Sequence, residues 1–223
     1  MVDRDCYFTK NTYQHFVLDN YLPYHIPAIV PFSQSTYSST KKDMDAFEKI
    51  IGQLLQDEKY WVKHSVKINL SLEEKRSINK PSTPRPEIDI VAYDVNRDTV
   101  YLLEVKSYLD SPGVPYDEVA IEQIEQSGRY KLLTAKNYRN VLSASLRRDW
   151  LEQGLIGAKT AISFGLIAGK IYRGQEQEMV DYFKKKEWLF WGPNLIREKM
   201  VLLADKGYEN NAVTIAAKIL TRG

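Results

Sequence analysis

The stretch that decides the fold runs Glu87-Ile-Asp-Ile-Val-Ala-Tyr-Asp-Val95, then Asn96-Arg-Asp98, then Thr99-Val-Tyr-Leu-Leu-Glu-Val-Lys-Ser107. Two runs rich in valine, isoleucine, leucine and tyrosine flank three turn-forming residues, which predicts an antiparallel hairpin. Each run carries an acid among apolar neighbours: Asp89 between Ile88 and Ile90, and Glu104 between Leu103 and Val105. A charge withdrawn from water into such surroundings is costly unless a partner or an ion compensates it. If Val95 pairs with Asp98 around a two-residue turn, Asp89 falls opposite Glu104 and both carboxylates share one face. A three-residue loop would break that parity unless a bulge restored it. Lys106, two residues past Glu104, lies on the same face by the period of the strand.

Upstream, Phe47, Ile50, Ile51, Leu54 and Leu55 are spaced as one buried face, predicting an amphipathic helix over 43–56 with Glu48 at its border. From Tyr60 to Leu70 the period is two, with Val62, His64, Val66 and Ile68 on the buried side of a strand. A polar segment then ends in the loop Pro81-Ser-Thr-Pro-Arg-Pro86. Downstream, helices are expected over 117–134 and 139–153, a buried strand over 161–172, and a charged helix over 176–186. Trp188-Leu-Phe-Trp191 is a short aromatic strand or turn, Pro193 suits a first helical turn, and a last helix covers 211–220.

The order helix, strand, strand, strand, helix, strand predicts an α/β fold with a small mixed sheet flanked by helices. Three regions follow: an irregular arm over 1–40, rich in tyrosine, serine and proline; a core over 41–175; and a helical extension over 176–223 packed on that core.

With 43% hydrophobic residues in 223, the chain can bury a substantial core. Its 31 basic and 29 acidic residues leave a charge of +2, so a nucleic-acid surface must come from local clustering. Such a cluster runs through Arg129, Lys131, Lys136, Arg139, Arg147 and Arg148, with Tyr130 and Tyr138 interleaved, and suits phosphate contacts. A single cysteine, Cys6, supports neither a disulfide nor a cysteine-rich zinc site. The histidines His15, His25 and His64 lack metal-ligand spacing, and His64 is expected as a hydrogen-bonded core residue. Neither a phosphate-binding glycine loop nor a nucleophile elbow is present. The start lacks the order of a secretory signal and no apolar run reaches membrane-spanning length, so the expectation is a soluble, cytoplasmic protein.

Hydrolysing a phosphodiester at neutral pH calls for a metal that polarises the phosphoryl group and acidifies water, and hard Mg²⁺ prefers oxygen ligands. Asp89 and Glu104 would supply two, the Val105 carbonyl a third, and the Lys106 ammonium would hold the water or offset charge on the phosphate.

These residues, in this order of elements, resemble the PD-(D/E)xK nuclease superfamily of restriction enzymes, junction resolvases and RecB-type exonucleases. The match rests on Asp89 and the triplet Glu104-Val105-Lys106 on consecutive strands after a helix. The resemblance implies a restriction-endonuclease-like core and a Mg²⁺-dependent nuclease, with Mn²⁺ as a substitute. It also implies DNA as substrate, products with 5′-phosphate and 3′-hydroxyl ends, and a metal-site role for Glu48. Gln126-Ser-Gly-Arg-Tyr130 is similar to the Gln-x-x-x-Tyr element of the RecB-type branch, which would bring Gln126 and Tyr130 to the site from one helical face. Ile88 stands where the family has its proline, which leaves Glu87 as a rival first acid. A second Glu-x-Lys, Glu73-Glu74-Lys75, lies in a polar segment without an acid-bearing strand before it. Two other readings are open: a buried ion-pair network, and an inactive nuclease-fold module that binds nucleic acid or a partner protein. The tail after Glu176 is a candidate recognition or homodimer element.

Overall fold

The computed structural model describes residues 45–82, 84–122 and 128–221. The N-terminal arm, Cys6, His15, His25 and Gln126 lie outside them. Helix α1 (Ala46–Asp57) starts at Asp45, whose carboxylate accepts from Phe47 N at 2.8 Å and Glu48 N at 3.4 Å and so satisfies two free donors of the first turn. Strand β1 (Trp61–Lys67) follows, then a short α2 (Leu72–Ser77), β2 (Glu87–Asp94) and β3 (Thr99–Lys106). Two single-turn helices, α3 (Tyr116–Val119) and α4 (Lys131–Thr134), lead into α5 (Lys136–Glu152). Then come β4 (Ala161–Ala168), α6 (Glu176–Lys185), β5 (Leu189–Trp191), α7 (Pro193–Asp205) and α8 (Ala212–Thr221).

The five strands form one open mixed sheet in the order β1-β2-β3-β4-β5, antiparallel across the first two junctions and parallel across the last two. Helices cover both faces. Ile90, Ala92, Leu103 and Val105 pack with Ile51, Leu54 and Leu55 of α1 and with Leu203 and Ala217 of α7 and α8. On the other face, Val91, Val100 and Leu102 meet Tyr138, Leu142 and Leu146 of α5, while Leu166 and Ala168 meet Met179 and Phe183 of α6. Each fully buried leucine or isoleucine contributes roughly 1.5–3 kcal/mol. Among the described residues no helix is long and apolar enough to cross a membrane.

Four expectations need correction. Among the described residues of the helix expected over 117–134, only two short turns are helical, α3 ending at Val119 and α4 starting after Gly128, which takes φ +100°. The strand expected over 161–172 ends at Ala168, where Gly169 turns the chain tightly under the Ser107 carbonyl. The polar segment before the proline loop contains α2, held by a capping box between Ser71 and Glu74. Glu74, of the second Glu-x-Lys, also accepts from Ser145 Oγ at 2.9 Å and pairs with Arg148 at 2.7 Å, and its carboxyl is held down at about 2. That acid ties α2 to α5.

The fourth correction concerns β1. Val62 and His64 face α1, with His64 against Gly52, whereas Val66 and Ile68 join the cluster under α5. The alternation inverts at Ser65, which adopts φ +49° and drops out of the ladder opposite Asp89. Nor is His64 a hydrogen-bonded core histidine: its Nδ1 is buried with no hydrogen-bond partner among the described residues, and burial holds its pKa low.

Candidate active site

The hairpin register places Asp94 against Thr99 and Ile90 against Leu103, so continuing it sets Asp89 opposite Glu104. The ladder stops there. At Asp89, β2 loses its regular pairing with β3 on one side and with Ser65 of β1 on the other. A residue held at positive φ without being glycine costs about 1–3 kcal/mol, and such strain concentrates at functional sites.

Into that break the Asp89 carboxylate extends, its Oδ2 accepting from Val105 N–H at 2.8 Å and from Lys106 Nζ at 3.2 Å. Lys106 Nζ also pairs with Glu104 Oε1 at 2.6 Å. The three side chains are 17–25% exposed, shielded yet open to solvent. Within a strand, a residue's N–H and C=O leave by the same edge. Since Val105 N–H reaches Asp89, the Val105 carbonyl faces the same gap, while the Lys106 carbonyl leaves by the other edge and accepts from Gly169 N–H at 2.9 Å.

Glu104 and Lys106 alternate with Leu103 and Val105, and so occupy the face that α4 to α6 cover. From the opposite layer, the first turn of α1 brings Glu48 within electrostatic range. Burial, then the charges of Asp89 and Asp45, push the Glu48 carboxyl up to about 7 against the opposing pull of Lys106. Burial raises Glu104 as well, with Asp89 adding to it and Lys106 opposing. For Lys106, burial works against the charge, but Glu104 and Asp89 outweigh it and hold the ammonium above the usual lysine range. Lys106 is therefore a fixed cation at neutral pH, suited to donate hydrogen bonds rather than to take a proton.

No group of three His, Cys, Asp or Glu side chains is gathered closely enough to enclose a metal among the described residues. Mg²⁺ does not require one, since it keeps several waters and takes one or two carboxylates plus substrate phosphate oxygens. Asp89, Glu104 and the Val105 carbonyl form an all-oxygen donor set at one gap, which fits that habit. Glu87, the rival first acid, pairs with Lys67 at the outer end of β2 and is exposed.

Other expected site residues are placed elsewhere. Tyr130 precedes α4 and is 3% exposed in the cluster with Val119, Leu133 and Phe183; burial and Tyr108 raise its hydroxyl pKa. Tyr130 thus stands before α4 rather than within a helix. Arg139 is buried, donates to the Leu133 carbonyl at 2.6 Å and lies 4.8 Å over the Trp188 ring, which makes it part of the core. Arg147 donates to the Thr160 carbonyl at 2.6 Å, and Arg148 is held by Glu74, Asp149 and the Asn69 carbonyl. The expected basic cluster is thus largely a set of structural ties. Arg129 lies over Tyr108, and Lys136 is exposed. Lys131 alone stands beside the acids, where its charge acts on Glu104. Residue spacing did not reveal that Tyr138 also borders Glu104: burial and that carboxylate push its hydroxyl up to about 12.

Compared with known proteins, the chain matches no family model, no curated protein and no solved structure.

Proposed function

We propose that the chain is a Mg²⁺-dependent nuclease that hydrolyses phosphodiester bonds of DNA, built on a restriction-endonuclease-like core of the PD-(D/E)xK type. The observation that carries this reading is the convergence of Asp89, Glu104 and Lys106 in the gap where β2 loses its pairing with both neighbouring strands. A purely structural ion pair has no need of a broken ladder or of the Val105 carbonyl turned into the gap.

Asp89, Glu104 and the Val105 carbonyl would hold the metal, with Mn²⁺ a competent substitute. The ion supplies Lewis-acid polarisation of the phosphoryl group and a more acidic water. Lys106, fixed as a cation, donates to the attacking water or to a non-bridging phosphate oxygen, where charge builds in the transition state. Glu48, reaching toward Asp89 from α1, would assist at the metal directly or through water. Val105 N–H orients the Asp89 carboxylate through Oδ2.

The test is a panel of linear, circular, single-stranded and branched DNAs with and without Mg²⁺ or Mn²⁺. Wild type is expected to cut, Glu104→Ala to be inactive, and Lys106→Ala to lose about 10²–10³-fold. Undiminished cleavage in both variants would remove the assignment.

A further inference from the structure

Beside Glu104, on the α5 face, a cavity of about 220 Å³ is bordered by Lys75, Lys80, Arg85 and Lys131 over an apolar floor that includes Ile78 and Tyr138. Its described lining contains no acid. Lys80 and Lys131 both lie over the Tyr138 ring, 5.9 Å and 5.2 Å from its centroid, one from the loop after α2 and one from α4. Two ammonium groups on one ring repel each other, and folding brings them together from residues far apart in sequence. Burial, then Lys80, holds Lys131 below the usual lysine range, with the two within hydrogen-bonding reach. A phosphate, with several oxygen acceptors and one negative charge, suits two ammonium groups that converge on one cavity wall.

We propose that Lys80 and Lys131, seated on Tyr138, form a subsite for a backbone phosphate of the bound DNA strand, next to the scissile phosphate that a metal at Asp89 and Glu104 would hold. The nature of the ligand rests on the nuclease reading. The subsite itself rests on the cavity and the converging cations, and so can be tested without cleavage. Cavity walls of opposite character suit a nucleotide: cations for the phosphate, and Ile78 with Tyr138 for the apolar sugar face.

The experiment is fluorescence anisotropy of a short labelled single-stranded oligodeoxynucleotide in EDTA, over a salt series. Lys80→Gln/Lys131→Gln is expected to weaken binding about tenfold at low salt, with the log–log salt slope shallower by about 0.7 for each phosphate no longer neutralised. Lys80→Arg/Lys131→Arg keeps both charges and should retain affinity, which separates a charge effect from misfolding. The single variant Lys80→Gln should fall between wild type and the Gln pair. Lys184→Gln/Lys185→Gln, in the basic run on α6, should bind like wild type. Unchanged affinity and slope in the Gln pair, an equal loss in the α6 control, or no DNA binding by wild type overturns the subsite. If wild type binds as described and the Gln pair does not, yet neither cuts with Mg²⁺ or Mn²⁺, the subsite stands and the nuclease reading falls.

Discussion

Glu48 is a carboxylate that folding makes harder to ionise. Its pKa rises from 4.5 to about 7, so between those values the folded chain binds more protons than the unfolded one. Stability must therefore fall as pH rises through that window, and the cost is complete above about 7. Glu48→Gln removes the charge without shortening the side chain. In EDTA, the variant is expected to be more stable than wild type at pH 8, by on the order of 1 kcal/mol once solvent screening is allowed for. The difference should vanish below about pH 4.5, and chemical denaturation at the two pH values reads it directly. Equal stability at pH 8 would mean that neither burial nor Asp89 opposes the charge of Glu48. The meeting of Asp89, Glu104 and Lys106 could be anticipated from the sequence, because charged residues inside apolar runs stand out one by one. The proton affinity of Glu48 could not, since it depends on burial and on an acid that reaches it from another element.

At the scale of elements, the hairpin was legible because a short turn and a period of two leave few registers. The pairing of Asp94 with Thr99 is the one that two-residue parity requires. The kink at Ser65 left no mark: serine at that position alternates like its neighbours, and its φ of +49° arises where the strand meets Asp89. Similarly, spacing set Tyr130 on a helix, but it stands before α4, two residues after Gly128 at positive φ. Gly165, in the middle of β4, faces a different constraint. A Cβ there would come within 2.6 Å of the Leu189 carbonyl and 2.7 Å of a Leu103 methyl, against both neighbouring strands. Gly165→Ala is expected to destabilise the fold by about 1–3 kcal/mol through overpacking, seen as a lower Tm. An unchanged Tm would show that β4 and β5 are not so closely seated.

At the scale of the whole molecule, folding sets the Asp89 charge against both Glu48 of α1 and Glu104 of β3, and a divalent cation would relieve that repulsion. A ligand that binds only the folded state stabilises it by about 2.7 kcal/mol at a hundredfold excess over Kd. For a chain of this size that is roughly 5–11 °C in Tm. Mg²⁺ is expected to raise the Tm of wild type and to leave Asp89→Asn/Glu104→Gln unmoved; equal shifts would place the ion elsewhere. Local pattern was enough to specify the helix ahead of the sheet, the hairpin, the α/β class and the meeting of Asp89, Glu104 and Lys106, because those follow from periodicities of two and 3.6 acting on near neighbours. Only packing could bring Glu48 across from the other layer, turn Arg139 into the core, and set Lys80 beside Lys131 on Tyr138. Such meetings join residues whose separation along the chain carries no trace of their distance in space.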